Sequence, residues 1–231
     1  MIAVILDDLG PNQAGTEAAI DLPPPITLAF LPYAENLPKL TAKARAAGHE
    51  LLVHVPMEPD GEGGEDPGPQ VLLTRLGPDE VLKRLRWDLD RFDHYVGINN
   101  HMGSKFTKDP ARLAIVFKEL KKRGLLFIDS RTTAETAARR VAEEIGVPFA
   151  ERQVFLDNIR SIENLRESLA ELEALARKGG SAIAIGHPHG ITLKALREWL
   201  PSLEGKGFAL VPVSAIVRRH LEDPDRRSSA N

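Results

Sequence analysis

Asp7 and Asp8 stand side by side at the end of the apolar run Ala3-Val4-Ile5-Leu6, with Leu9-Gly10 following. The run has the makeup of a short buried strand, and the two carboxylates fall where it ends. Successive strand side chains point to opposite faces, but at the rim of a barrel a turning chain can bring both acids to one mouth. Two carboxylates there repel unless a cation or a shared proton relieves them. A metal ligand beside a general base is one use of such a pair. Histidines recur in the same kind of place. His54 ends a third apolar run and is followed by Pro56-Met57-Glu58. His101 ends Asn99-Asn100-His101, and His187 and His189 stand in Gly186-His187-Pro188-His189 after Ser181–Ile185. Asp129-Ser130-Arg131 follows Leu125–Ile128. One Asp and two His suit zinc or a similar divalent ion, and three protein ligands leave positions open for water and a substrate oxygen. The second carboxylate could then take a proton from that water, and a His on the opposite wall could protonate a leaving group. Residue types and order alone point to metal-assisted hydrolysis.

Each of these residues also has a local explanation. Asp8 could cap a helix beginning near Pro11, and Asp129-Ser130 could cap one starting at Thr133. Asn99-Asn100 could satisfy turn backbone groups, Arg131 could be a surface cation, and His49 after Gly48 reads as a helix-end cap. Taken together they favour one shared site. Four of the seven histidines fall at strand ends, which are a minor part of the sequence. Independent structural needs would not be expected to place them at the same rim as Asp7 and Asp8.

The elements that must position these residues follow from the periodicity. Apolar runs at Ile2–Leu6, Ile26–Leu31, Glu50–Val55, Val96–Ile98, Leu125–Ile128, Val147–Phe149, Ser181–Ile185 and Ala209–Val211 alternate with amphipathic stretches. Leu37, Leu40 and Ala44 recur at helical spacing, as do Val81, Leu82, Leu85 and Leu89 after Pro78. Asp109-Pro110 starts a helix with Leu113, Val116, Phe117 and Leu120 on one face. Thr132 and Glu135 fit a capping box for a helix that Gly146 and Pro148 end, and Ser161 opens a helix carrying Leu165, Leu169, Leu172 and Leu175. Repeated βα units imply parallel strands with right-handed crossovers. Seven or eight of them make an α/β barrel, incomplete or closed, with its site at the C-terminal ends of the strands. Residues 59–70 read as a loop over the end of the third strand. The 231 residues fit one domain over 1–222, with 223–231 a polar, disordered tail.

Composition narrows the function. The formal charge is −3 and no basic run stands out, so nucleic acid is not indicated. No apolar stretch approaches about 18 residues, so no membrane span is expected. There are no cysteines, which excludes disulfides and thiolate metal sites. Aromatic residues are only 5%, with Tyr33 and Phe106 the candidates for a sugar-stacking platform near strand ends.

These segments resemble the polysaccharide deacetylase family, carbohydrate esterase family four, and more closely its divergent polysaccharide deacetylase branch. Asp7-Asp8 is similar to the family's first motif, and Thr27-Leu28-Ala29-Phe30 to its second strand. Gly48-His49-Glu50 leading to His54 resembles the approach to its second motif, and Ile183–His187 resembles its last. The resemblance implies a distorted, incomplete (β/α) barrel, with Asp7 as base, Asp8 and His54 as metal ligands, and His187 or His189 as general acid. Two segments depart from the family pattern. Glu58 stands where a second metal-binding His is usual, four residues after His54, and Asn99–Ser104 replaces an Arg-Pro segment. His101 is the expected replacement ligand, with Glu58 the alternative. Asn100, Asp129 and Arg131 are expected to orient the substrate or the acid–base pair.

The implied activity is metal-dependent removal of N- or O-acetyl groups from a carbohydrate, with a divalent metal, zinc first. Two rivals are an envelope-associated carbohydrate-binding protein that keeps the site with little turnover, and a hydrolase acting on another small amide or ester. The branch implies an extracytoplasmic location, and no export signal precedes the first strand.

Overall fold

Apolar runs with β-branched residues give eight strands in the computed structural model, which describes residues 1–61 and 66–222. They are β1 (Ile2–Leu9), β2 (Thr27–Phe30), β3 (Glu50–Met57), β4 (Gly97–Met102), β5 (Leu126–Asp129), β6 (Phe149–Glu151), β7 (Val154–Phe155) and β8 (Ala182–Gly186). All pair in parallel, in the order β6-β5-β4-β3-β2-β1-β8-β7. The sheet is a curled half-barrel whose edges are β6 and β7. These edges are consecutive in the chain, Glu151 lying three Cα steps from Val154, a reach of at most roughly 11 Å. The curl therefore brings the two edges close together without pairing them.

Helices cover the outside: α1 (Gln13–Ile20), α2 (Leu37–Ala46), α3 (Pro78–Leu89), α4 (Pro110–Arg123), α5 (Ala138–Ile145), α6 (Ile162–Gly179), α7 (Gly190–Trp199) and α8 (Val213–Glu222). Their apolar stripes pack on outward strand residues such as Val4, Leu6, Leu28, Val53 and Phe127. The inward residues Ala3, Ile5, Ala29, Leu52, Ile128, Ile183 and Ile185 form a second layer with Val213, Ile216 and Val217 of α8. Helix α8 thus closes the end of the barrel where the strands begin. Its first backbone amides are bound there, Val213 N–H donating to Thr27 Oγ1 (3.0 Å) and Ser214 N–H to Glu50 Oε1 (3.1 Å).

Several sequence expectations shift. β1, β3 and β4 run past their apolar residues, so Asp7, Asp8, His54 and Asn99–His101 lie within strands. Ala209–Val211 is no strand; it makes a single bridge, Leu210 opposite Ile2. The two-residue β7 was not foreseen. Asn12, rather than Asp8, caps the first helix, its Oδ1 accepting from Gly15 N at 3.1 Å. The Thr132–Glu135 capping box does not form, and α5 starts at Ala138. Thr132 Oγ1 donates to Met102 O (3.0 Å) and Thr136 Oγ1 to Asp129 Oδ2 (2.8 Å), which ties this segment to strand ends instead. His49 is a buried bridge between Ile26 N (3.2 Å) and Ile20 O (3.0 Å). The expected tail at 223–231, and residues 62–65 of the expected loop, lie outside the described residues.

One buried group opposes this packing. Asp88 sits with Val81, Leu85 and Leu89 on the inner face of α3, fully buried, and neither carboxylate oxygen has a hydrogen-bond partner among the described residues. Burial holds its carboxyl well above the ordinary range, against the pull of Arg84. The folded state therefore binds the proton more tightly than the unfolded chain, so raising pH through the ordinary carboxylate range costs stability. Asp88→Asn is expected to stabilise the chain at pH 7. The gain grows by about 1.4 kcal/mol per pH unit above the ordinary range until Asp88 itself ionises. It vanishes in acid, and denaturant titrations of both proteins across pH measure it.

Candidate metal centre

Strand alternation selects the residues that meet at the mouth. Ala3 and Ile5 face inward, so Asp7 does too; Leu52 puts His54 inward, and Ile183 and Ile185 put His187 inward. Asp8 should then face outward. It does not, because β1 carries a bulge: Leu6 pairs with Leu28 and Leu9 with Phe30, one residue too many on β1. Asp8 adopts φ 58°, in the left-handed region, and its carboxylate turns back to the mouth beside Asp7.

Three electron-pair donors converge there. Asp8 Oδ1 lies 3.0 Å from His101 Nδ1 and 3.3 Å from His54 Nε2, and the two ring nitrogens are 3.2 Å apart. Asp8 Oδ1 is buried and has no hydrogen-bond partner among the described residues. Tetrahedral zinc with bonds of about 2.1 Å needs donors roughly 3.4 Å apart. The set is therefore close to the spacing and chemistry of a three-ligand divalent site.

Asn99 fixes the chemistry of this triangle. Its Nδ2 donates to Asp7 Oδ1 at 2.8 Å, and its Oδ1 is 2.8 Å from His54 Nδ1. A carboxylate only accepts, so the amide nitrogen faces Asp7 and the amide oxygen faces the ring. His54 Nδ1 must then carry the hydrogen, which turns Nε2 toward Asp8 and His101. Burial raises the carboxyl of Asp7 above its ordinary value, against His54 and His187. Burial would also raise Asp8, but the adjoining His101 and His54 rings hold it well below the carboxylate range. His54 is lowered by burial and raised more by Asp7 and Asp8, for a net rise.

On the far wall His187 Nε2 lies 3.7 Å from Asp8 Oδ2. Asp157 holds the other side of the ring, with Oδ1 3.0 Å from His187 Nδ1. Its Oδ2 accepts from His187 N (2.7 Å) and Thr192 Oγ1 (2.8 Å). Burial works against the imidazolium, but the Asp157 hydrogen bond and the charges of Asp7, Asp157 and Asp8 together outweigh it and push His187 up to about 9. His189 lines the same wall and is held below its ordinary value by burial and by Arg160.

The hollow these residues line has a volume of about 300 Å³ and also takes in Asn100, Met102, Ser130, Thr132, Phe155 and Arg160. Larger hollows of about 430 and 530 Å³ are lined by none of these donors. Three expected residues are not brought to it. The Glu58 carboxylate is taken up by Thr74 N (2.5 Å), Thr74 Oγ1 (2.6 Å) and Lys105 Nζ (2.7 Å). Asp129 has the outward parity of Phe127, and its carboxylate accepts from Arg131 N (2.7 Å) and Thr136 Oγ1. Arg131 pairs with Glu151 at 2.9 Å. Asn100 lines the hollow, but its amide is spent on Met102 O (2.7 Å) and Ser130 N (2.9 Å). Phe106 is fully buried in the core and Tyr33 lines a neighbouring hollow, so Phe155 is the aromatic of this wall. Asn99, Asp157 and Arg160 were not foreseen as site residues. For Asp157 the signal was the short apolar run Val154–Leu156 before it.

The sequence pattern of the divergent polysaccharide deacetylase family matches residues 4–217, from β1 through the middle of α8. The chain belongs to this family. The uncharacterized protein YibQ of Escherichia coli K12 is 34% identical over 222 residues, 96% of this chain and 69% of that protein. The crystal structure of an uncharacterized protein from Agrobacterium tumefaciens C58 superposes with a TM-score of 0.91 at 32% identity, covering 93% of this chain and 88% of that one. The T48 deacetylase with substrate shares the fold at a TM-score of 0.56 and 13% identity, over 93% of this chain and 88% of that one. Family membership thus rests on the whole barrel. No helix among the described residues is long and apolar enough to cross a membrane.

The Asp157–His187 contact can be measured directly. In chelator-treated protein, histidine NMR should show His187 titrating near about 9. Asp157→Asn should bring it down toward the ordinary imidazole value of about 6.5. A raised folded pKa means that the pair's contribution to stability is full below about 6.5 and is lost as pH rises through His187's own titration. The variant should therefore lose stability mainly at neutral and acid pH.

Proposed function

We propose that this divergent polysaccharide deacetylase is a metal-dependent hydrolase that removes an N- or O-acetyl group from a carbohydrate. The observation that carries the reading is the triangle of Asp8 Oδ1, His54 Nε2 and His101 Nδ1, 3.0–3.3 Å on each side, with Asp7 and His187 flanking it. In this reading Asp8, His54 and His101 hold a divalent ion, zinc first, because imidazole and carboxylate suit it. When bound, the ion supplies Lewis acidity to an acetyl carbonyl and acidity to a coordinated water.

The remaining chemistry belongs to the protein. Asp7, whose Oδ2 lies 3.6 Å from His54 Nε2, takes the proton from the attacking water. Burial makes it a stronger base than an exposed aspartate. Asn99 holds Asp7 and His54 in one hydrogen-bonded unit, so base and ligand cannot turn independently. His187, held as an imidazolium by Asp157, gives its proton to the departing amine nitrogen or alkoxide oxygen as the bond to the acetyl carbon breaks. Acetate and the free amine or hydroxyl are the products. His189 and Phe155 shape the wall against which the sugar ring lies. An extracytoplasmic location is part of this reading and is drawn from the family.

Acetate release from a panel of acetylated glycans should vanish on chelation and return with Zn²⁺. Asp8→Asn, His54→Ala and His101→Ala should lose metal occupancy, measured by elemental analysis, while Glu58→Ala keeps it. Asp7→Asn should keep the metal and lose about 10²- to 10⁴-fold in rate. Full occupancy in His101→Ala with loss in Glu58→Ala would overturn the ligand assignment. A metal-loaded protein that releases no acetate from any glycan, yet shifts on binding them, would favour the binding-protein alternative.

A further inference from the structure

Every carboxylate of the cavity wall is already committed. Asp7 accepts from Asn99, Asp8 belongs to the donor triangle, and Asp157 behind the wall is saturated by His187 and Thr192. Arg160 is the exception among the charged residues. Its side chain lines the cavity, is exposed, and has no ion-pair or hydrogen-bond partner among the described residues.

The backbone that carries it is nonetheless held. The segment leaves Asp157, which is anchored to His187 and Thr192, and enters Ser161, whose Oγ caps α6 by accepting from Asn164 N at 3.1 Å. Ser161 N also donates to Ile159 O at 2.9 Å, tightening the turn around Arg160. Beside it Ile159 is 62% exposed, and of this loop it is Arg160 that lines the cavity. The charge is felt inside, since Arg160, after burial, is what holds His189 below its ordinary value.

A substrate filling the mouth would strip water from this guanidinium. A neutral sugar offers it no counter-charge, whereas a carboxylate or phosphate meets its planar donor fork with two parallel bonds. We propose that Arg160 makes this site selective for acetylated carbohydrates bearing an anionic group, a carboxylate or a phosphate, near the acetylated position. The inference rests on the hydrolase reading for what is turned over, but not for what is bound.

Calorimetric titration of the full chain with N-acetylglucosamine, N-acetylmuramic acid and N-acetylglucosamine 6-phosphate separates the cases. At least one acidic sugar should bind about tenfold more tightly than the neutral one, the scale of a charge-assisted hydrogen bond. Which acidic sugar does so tells carboxylate from phosphate. Arg160→Gln should abolish the preference, bringing the acidic sugars' affinity to that of the neutral one measured on the same variant, with the Tm unchanged because no ion pair or hydrogen bond of the described residues is lost. Arg160→Lys should keep part of it. Equal affinity for all three sugars, or a preference that survives Arg160→Gln, overturns the proposal. Acetate release is read separately. An Arg160-dependent preference without metal-dependent release supports this inference and counts against the hydrolase reading. Release without the preference does the reverse.

Discussion

Between Leu6 and Leu9, β1 takes three steps while β2 beside it takes two, from Leu28 to Phe30. A regular strand would send Asp7 into the barrel and Asp8 into the apolar layer under the helices, where an ionised carboxylate has no partner. The extra residue turns both acids to the mouth. It places Asp8 in the left-handed region, a cost of about 1–2 kcal/mol for a residue with a Cβ. The exit is confined too. Gly10 follows at φ 115°, where a Cβ would fall 2.3 Å from that of Ala34, and its N–H is held by Thr16 Oγ1 at 2.8 Å. Without the bulge the donor triangle would lack its oxygen.

Burial makes the arrangement consequential. Asp7 and His54 are each only 2% exposed, and below them lie the inward apolar layer and α8. Water cannot reach the cluster from beneath, so its charges must be met by protein groups or by a ligand from above. Asn99 meets part of that demand by joining Asp7 to His54, with Ser130 Oγ a further 3.3 Å contact to its Nδ2. Asp157 does the same for His187. Asp8 Oδ1 is the atom left over, and with His54 Nε2 and His101 Nδ1 it makes three lone-pair donors that a cation between them would satisfy.

Much of this was legible in the sequence, because polar residues interrupting apolar strands are costly unless they share a purpose. Asp7, Asp8, His54, His101, His187 and His189 could be named on that ground, and the repeated βα units gave the barrel. What was not legible depends on parity and pairing. Asp129-Ser130-Arg131 reads as one polar cluster, yet alternation admits Ser130 to the cavity and sends Asp129 to the other face. Asn99 and Asn100 look equivalent, but one ties Asp7 to His54 and the other ties two strand ends together. Two residues of β7 are too few for any periodicity, so the short apolar run Val154–Leu156 was the one cue to Asp157 behind it. Ala209–Val211 has strand composition, yet β1, beside which it lies, is already paired with β2 and β8, and only the bridge from Leu210 to Ile2 forms.

The position of His101 shows how the site tolerates Glu58 four residues after His54. In the β3–β4 register His54 lies opposite Asn99, and Pro56 opposite His101. His101 is thus the neighbour of His54 one strand over and one inward step up, close enough for the rings to meet edge to face with centroids 4.9 Å apart. A donor taken from β4 sits on a paired strand, whereas one at position 58 sits where β3 has ended. Freed from the triangle, Glu58 fastens that ending instead. Its carboxylate holds Thr74 and Lys105, and its carbonyl accepts from Lys105 N (3.1 Å) and Phe106 N (3.0 Å). The exchange places the third donor on a rigid element and uses the acid to lock the turn after His101. In that way Glu58 supports the geometry around a donor triangle of which its own carboxylate is not a member.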